Sequence, residues 1–554
     1  MILGLLALIV VLLGAIGGVW AYYKFLYTKP LTQTELAELT PDWSVVTHGN
    51  WSPWVTEADG SQTWNPAASF NAWLATVPEE DKAWPVMVRV KEKYTESVLA
   101  SKYLGTRPND EARWELIRDE LGTPQSDEIL SALKDAFAKP VLGCVLSTNY
   151  GPYEHAAIVE FDDEFEPGPL NFDPASNYAL MDIMQGWLGM HRSFTNFLES
   201  KAAYELEQGN VEEFVEIVVV LMRSSDLCLE YPTLIGQLVE VSIENVGLEL
   251  IGWAIENHQD QLTEDHLQRF DIAISEIEKF ELRWQGEALM FHDTIRRLMN
   301  SNGVLVGGTG SAINGGASFG DPVSLQDGGL HASSQRTLLV YNSMLQALSD
   351  ISRIPWDTSL MGGEEIYESQ KASLSHLGDL FLGILGPATD SSSKRFRQII
   401  QQATGLRVGI AVNRHRLRHG RFPDSLDSID TDLMVFNPID VFTDEHLFYV
   451  LTESGPVVYS VSDDRVDNGG VQLWTSRKYD KLVNHGEGLA VIEVDVYRMV
   501  FPEWYDEIDA HALFGPHSDR EQGDWVLFPI PENDPRPLDN FDWDENGELF
   551  IEED

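Results

Sequence analysis

Three neighbouring runs, RHRLRHGRFPDSLDSI (414–429), NPIDVFTDEHLFYV (437–450) and VVYSVSDDRVDNGG (457–470), decide how the C-terminal part of the chain folds. Gly420 is suited to the left-handed backbone that ends a helix, and Pro423 blocks continuation of that helix. Asp424 or Ser425 can then cap a short helix over DSLDSI, because both side chains accept hydrogen bonds from backbone N–H groups. The second run carries a Pro-x-Asp turn, and the third ends in an acidic loop with two glycines.

This order resembles the soluble part of the major pseudopilin of type II secretion systems, in which a helix ends at Gly-x-Tyr-Pro and paired strands lead to an acidic Gly-rich loop. Here the helix end is GRFP, at Gly420 to Pro423. The resemblance implies an α+β module, a helix followed by antiparallel strands, over residues 395–535. The family's acidic loop binds Ca²⁺, so the resemblance also implies a calcium site.

The candidate calcium ligands in this loop are Asp463, Asp464, Asp467 and Asn468, whose oxygens are the donors that Ca²⁺ prefers. The sequence departs from the family pattern because Asp463 and Arg465 stand where small glycines are common. The guanidinium of Arg465 is an alternative occupant of the same site.

The C-terminal tail DWDENGELFIEE (542–553) offers a second candidate calcium site. Asp542, Asp544, Asn546 and Glu553 match the pattern of an EF-hand loop. No exiting helix follows Glu553 to direct it at an ion, and the alternation on both sides of Asn546 is also typical of a plain hairpin. The sequence favours the hairpin over the calcium loop.

Composition bounds the class of protein. A chain of 554 residues is expected to form two to four domains, at about 150 residues each. Its 88 acidic and 38 basic residues give a net charge of −50, which excludes nucleic acid as a partner. Cys144 and Cys228 are two isolated cysteines, so neither a disulfide framework nor a zinc cluster is encoded, and whether they pair is open.

Residues 2–20 are all apolar or glycine, and Trp20, Tyr22 and Tyr23 follow as an interfacial aromatic belt. We interpret residues 1–27 as a single-pass anchor that crosses the inner (cytoplasmic) membrane through residues 2–23. Lys24 and Lys29 favour a cytoplasmic location for the chain that follows the membrane helix. The pseudopilin resemblance favours an extracytoplasmic location, which we adopt. The segment lacks the leader and the glutamate that admit pseudopilins to a filament.

The middle of the chain is predicted to be mainly α-helical. Residues 178–299 carry apolar side chains at three- and four-residue spacing, and EQGN (207–210) breaks the pattern at a turn. The phrase around this turn resembles one helix-turn-helix unit of the tetratricopeptide kind, and we predict a bundle or a short array of helical hairpins. The predicted regions are an anchor (1–27), a mixed N-terminal region (28–175), a helical hairpin region (176–300), a Gly-rich loop (301–330), a helical region (331–394), the α+β module (395–535) and an acidic tail (536–554).

Little in the sequence points to catalysis. His415 and His419 have the i, i+4 spacing of a metal-binding pair on a helix, but the arginines among them disfavour a cation. Pairing of these arginines with carboxylates is the favoured interpretation, and docking of an acidic partner is the alternative. Ser391 and Lys394 match S-x-x-K only within a run predicted to be a polar linker. No catalytic residue and no cofactor other than Ca²⁺ is predicted.

Body and tail together resemble bacterial membrane-anchored proteins with a helical middle and a pseudopilin-like end. The function favoured by this resemblance, the anchor and the lack of catalytic motifs is an extracytoplasmic binding or scaffolding protein with a protein partner, in an envelope or secretion assembly. The alternatives are a pseudopilin-like secretion component and a calcium-stabilised hydrolase.

Overall fold

The computed structural model describes residues 52–56, 59–94, 97–146, 180, 186–230, 233–277, 282–298, 332–352, 363–371, 374, 376–452, 455–461, 467, 473–475, 480–485, 488–493, 497–499 and 525–529. These residues form twelve α-helices and nine short β-strands, numbered below in chain order. The protein is mainly helical with small antiparallel sheets, which confirms the predicted combination at this level.

The N-terminal region begins with a hairpin of two short strands and continues as four helices. The elements are β1 (Trp54–Thr56), β2 (Gln62–Trp64), α1 (Pro66–Leu74), α2 (Trp84–Lys93), α3 (Glu111–Leu121) and α4 (Pro124–Phe137). Helix α4 has a strong start, because Pro124 occupies its first turn and the Thr123 hydroxyl accepts a hydrogen bond from the Ser126 N–H. Its apolar face, including Ile129 and Leu133, is buried.

The helical hairpin region consists of α5 (Gly186–Glu207), α6 (Val211–Ser225), α7 (Leu234–Asn257) and α8 (Glu264–Ile274). Gly209 has φ +79° in the turn between α5 and α6, which confirms the turn predicted at EQGN. Thr263 caps α8 and forms a capping box with His266. Helices α5, α6 and α7 pack against one another, and α8 packs against α6.

Four further helices complete the body: α9 (Trp284–Leu298), α10 (Ala332–Ser352), α11 (Gly363–Gln370) and α12 (His376–His419). The prediction of a polar linker at SSSK (391–394) is wrong, because these residues lie within the 44-residue helix α12. Packing explains the error: Ser392 is 6% exposed, so part of this polar run is buried. Helix α12 also continues through the boundary drawn at residue 395.

The strands of the C-terminal part are β3 (Phe448–Thr452), β4 (Gly455–Ser460), β5 (Leu473–Thr475), β6 (Asp480–His485), β7 (Gly488–Glu493), β8 (Tyr497–Met499) and β9 (Trp525–Phe528). β3 and β4 pair antiparallel, and β9 pairs antiparallel with the other edge of β4. β5 pairs with β8 and β6 with β7, both antiparallel.

One hydrophobic core joins the N-terminal helices, the hairpin region and the C-terminal sheet. It contains buried side chains from Ala83 at the start of α2 to Phe528 of β9, with Ile251 of α7 and Ile410 of α12 between them. Gly405 and Gly409 let β9 approach α12 closely, because a Cβ atom at Gly409 would lie 2.5 Å from the ring of Phe528. Helix α12 therefore packs against both the C-terminal sheet and the helical hairpin region.

Among the described residues, no helix has the length and apolar character needed to cross a membrane. The predicted anchor at residues 2–23, the Gly-rich loop at 301–330 and the acidic tail at 536–554 lie outside the described residues.

Candidate functional site

A cleft of about 730 Å³ opens between the α3–α4 pair and the α5–α6 pair. Its lining is predominantly polar and comprises Gly122, Asp127, Leu130, Ser131, Lys134, Lys201, Tyr204, Glu205, Gln208, Asn210 and Glu213. The residues that α4 and α5 contribute recur at three- and four-residue spacing, which places each set on one face of its helix. The volume is within the range of sites that bind small molecules or single peptide segments.

Lys201 lies in the floor of the cleft, and its side chain is 1% exposed. Its Nζ donates to Leu121 O at 2.9 Å, to Asp127 Oδ1 at 2.9 Å and to Glu205 Oε1 at 2.7 Å. An ammonium group has three N–H donors, so these three acceptors use all of them. Burial opposes the charge of Lys201, but the hydrogen bonds to Asp127 and Glu205 hold its pKa above the ordinary lysine value.

Lys134 is the second cation of the cleft. Its Nζ contacts Glu213 Oε1 and Glu216 Oε2, each at 2.7 Å. These two hydrogen bonds outweigh partial desolvation and raise the pKa of Lys134. Both lysines are therefore charged and are directed at carboxylates of the protein itself.

The polar groups left to a ligand are chiefly acceptors. Three carboxylates of the lining, those of Asp127, Glu205 and Glu213, face two ammonium groups: Lys201 donates to three acceptors and Lys134 to two carboxylates. The Asp127 side chain is 66% exposed at the mouth of the cleft. Such a lining complements a molecule that donates hydrogen bonds and carries positive charge.

A second polar group, His191 with Cys228, lies inside the hairpin region. Cys228 Sγ is 3.9 Å from His191 Nδ1, and both residues are completely buried. Burial lowers the pKa of His191 to about 4 and raises that of the Cys228 thiol well above its usual value. The pair is therefore a neutral thiol beside a neutral imidazole, which is not the activated form of a nucleophilic cysteine. Cys144 and Cys228 are both free thiols.

The arginine cluster at the end of α12 is paired with carboxylates. Arg418 contacts Glu264, Asp430 and Asp432, Arg414 contacts Glu264, and Arg421 contacts Asp424. The preference for internal pairing over an acidic partner is confirmed at these three arginines. Arg416 instead lies over the Phe422 ring, 5.3 Å from its centroid.

Of the predicted calcium ligands, only Asp467 lies within the described residues, where its Oδ1 accepts a hydrogen bond from the Tyr459 hydroxyl at 3.1 Å. Asp463, Asp464, Asn468, Asp542, Asp544, Asn546 and Glu553 lie outside them. Both calcium sites stay predictions.

The cleft could not be predicted from the sequence, because its walls come from helices about 80 residues apart along the chain, and their pairing depends on the tertiary fold. One signal was present: Lys201 interrupts an otherwise small or apolar helix face and has Glu205 four residues later. Comparison with known proteins found no matching family model, no matching curated protein and no matching solved structure.

Proposed function

We propose that this chain is a membrane-anchored extracytoplasmic binding or scaffolding protein, held in the inner membrane by residues 2–23 and acting in an envelope or secretion assembly. The apolar N-terminal run and the pseudopilin resemblance support the location. The cleft between the α3–α4 and α5–α6 pairs carries the binding role, because its charged groups are fixed by one another before any ligand arrives. Preorganisation of this kind lowers the ordering cost of association.

The partner of this cleft is a polypeptide segment with lysine or arginine side chains. A basic side chain entering between Asp127 and Glu213 would meet carboxylate acceptors, and the ammonium groups of Lys201 and Lys134 beside them already donate to carboxylates of the protein. The net charge of −50 acts in the same direction, since it accelerates the approach of basic partners and slows that of acidic ones.

Peptide binding tests this role. The full-length chain in detergent is titrated with fluorescently labelled peptides that carry Lys and Arg, and with matched peptides that carry Glu and Asp. We expect saturable binding of the basic set only, and a loss of about thirtyfold in affinity for the double variant Asp127→Asn/Glu213→Gln, since each of the two removed contacts is worth on the order of 1 kcal/mol.

Glu276→Gln is the charge control, because it removes one negative charge, as each substitution of the double variant does, but from an exposed site outside the cleft. Equal affinity for basic and acidic peptides would contradict the proposal, as would a double variant that binds as tightly as the wild-type chain. A loss of affinity that Glu276→Gln reproduces would reduce the effect to general charge.

Location has a separate test. A C-terminal alkaline phosphatase fusion is active only when the fused enzyme leaves the cytoplasm, and we expect an active fusion in the membrane fraction. Inactive fusion protein at normal abundance would place the bulk of the chain on the cytoplasmic side and would leave the result of the peptide titration standing.

A further inference from the structure

The end of helix α12 brings together three side chains that come from two separate parts of the chain. His415 and His419 lie one turn apart on the helix, with ring centroids 4.3 Å apart. Asp430 lies beyond the helix, in the loop that follows the short 3₁₀ helix Leu426–Ser428, and its Oδ2 is 2.9 Å from His419 Nε2. One ligand atom from each of the three residues lies within 4.8 Å of the others.

Ion pairs of Arg414, Arg418 and Arg421 with carboxylates reduce the positive charge that opposes a cation at this helix end. Four arginines, at 414, 416, 418 and 421, surround the two histidines, and four carboxylates, those of Glu264, Asp424, Asp430 and Asp432, lie among them. The formal charges of these two sets cancel. The histidines also lie in the last two turns of α12, where the unpaired carbonyl groups of a helix end favour positive charge.

His415 supplies a further observation. His415 is 7% exposed. Its Nδ1 atom is buried and has no hydrogen-bond partner among the described residues. A buried ring nitrogen without a partner is costly, and a bound ion on this imidazole would supply a partner, directly or by fixing the ring.

We propose that His415, His419 and Asp430 form a binding site for a divalent transition-metal cation of the Zn²⁺ class. Two imidazoles and one carboxylate are ligands that zinc accepts, and two histidines at i and i+4 on a helix can share one ion. Three protein ligands leave a fourth position for water or for a ligand from a partner.

The three ligand atoms need to move only a short distance to bind one zinc ion. Tetrahedral zinc with bonds of about 2.0–2.1 Å separates its ligand atoms by about 3.3 Å, so atoms that lie within 4.8 Å of one another must approach by at most about 1.5 Å. His419 Nε2 and Asp430 Oδ2, at 2.9 Å, need only move slightly apart. The side chains of His419 and Asp430 are 45% and 33% exposed. Rotation of these two side chains toward the more buried His415 brings the ligand atoms together.

Occupancy of this site would fasten the loop that follows α12 to the end of the helix. That role is independent of the peptide-binding cleft, which lies between other helices. Either proposal can therefore fail without the other.

Metal titration of the full-length chain tests the site. The chain is stripped with chelator, exchanged into buffer with excess Ca²⁺ to occupy sites built from oxygen ligands, and titrated with Zn²⁺ in a calorimeter and with Co²⁺ by visible absorption. We expect one equivalent of Zn²⁺ that is lost or weakened at least about tenfold in Asp430→Asn and in His419→Gln. We also expect the intense visible bands of four-coordinate Co²⁺ in the wild-type chain only.

Glu212→Gln is the matched control, because Glu212 Oε2 makes a comparable histidine–carboxylate contact between α6 and α8, at 3.3 Å from His266 Nε2, where the described residues supply no third metal ligand. Its zinc stoichiometry and affinity should equal those of the wild-type chain. Circular dichroism of the metal-free variants checks that each is folded. Wild-type zinc binding in folded Asp430→Asn and His419→Gln, or no zinc uptake by the wild-type chain, would overturn the proposal.

Discussion

At the scale of single residues, Asp440 shows how the Pro-x-Asp turn of the C-terminal module stabilises the fold. Its side chain is completely buried; Oδ1 accepts the Phe442 N–H at 2.9 Å, and Oδ2 accepts the Val461 N–H at 3.1 Å. The carboxylate thus joins its own loop to the end of β4. Burial raises the pKa of Asp440, and the hydrogen bonds limit that rise.

Replacement of Asp440 tests this role. In Asp440→Ala, two buried N–H groups lose their acceptor, and each such loss costs about 1–3 kcal/mol, so we expect the free energy of unfolding to fall by about 3 kcal/mol. Urea unfolding followed by circular dichroism measures the change. The control Asp424→Asn removes an exposed carboxylate of the same module and should leave the unfolding midpoint unchanged. Equal midpoints for Asp440→Ala and the wild-type chain would contradict this account.

At the scale of elements, the contact between α12 and β9 depends on two glycines on one helix face. A Cβ at Gly405 would overlap Leu527, and one at Gly409 would lie 2.5 Å from Phe528, whose side chain is 4% exposed. Helical glycine is unfavourable by about 1 kcal/mol relative to alanine, so its presence here reflects the close approach of the strand.

Two glycine-to-alanine substitutions separate the effect of helix propensity from the effect of close packing against β9. Gly409→Ala should lower the free energy of unfolding by about 1–3 kcal/mol, because the strand must move away from the helix. Gly189→Ala, in α5, meets nothing within 4 Å and should raise it by about 0.5–1 kcal/mol. Thermal melts of both variants beside the wild-type chain measure the two shifts. A shared direction would show that helix propensity and not packing controls Gly409.

Elements defined by local chemistry were predictable from the sequence, and elements defined by distant contacts were not. Gly420, with φ +72°, ends α12 as its position before Arg-Phe-Pro predicted. The pairing of β9 with β4 was not predictable, because more than 60 residues separate the two strands. For the site residues, charge patterning predicted that the arginines of α12 would pair internally, but Glu264 as a partner depends on how α8 packs against α12.

At the scale of the whole molecule, the acidic composition extends into the interior of the helical hairpin region. Glu230 is 2% exposed, and both of its oxygens accept the Gly143 N–H, at 2.9 and 3.1 Å. Burial raises its pKa to about 7. Burial also raises the pKa of Glu244 to about 8, although the hydrogen bond from Ser225 acts to lower it. Burial raises the pKa of Glu240 well above its usual value. These glutamates hold protons in the folded chain that the unfolded chain releases near pH 4.5.

The sign of the resulting pH dependence follows from proton binding. Between about pH 4.5 and 8 these glutamates bind more protons in the folded state than in the unfolded state, so their contribution to the free energy of unfolding falls as pH rises, by up to about 1.4 kcal/mol per pH unit for each group. The lowered pKa of His191 acts in the opposite direction below about pH 6.5, so the fall is steepest above that pH. Repulsion among the surface carboxylates acts in the same direction. Urea unfolding at several pH values across this window should give the highest midpoint at its acidic end.

Glu244→Gln identifies the source of this dependence. The amide cannot ionise, so the free energy of unfolding of the variant should fall less steeply with pH than that of the wild-type chain. The variant should therefore be the more stable of the two at the alkaline end of the window. Glu80→Gln, an exposed position, removes the same charge from the surface and should keep the wild-type slope. If the free energy of unfolding falls with pH equally steeply in Glu244→Gln and Glu80→Gln, the pH dependence comes from surface repulsion and not from Glu244. A buried carboxyl group affects this slope at neutral pH because it is protonated only in the folded state.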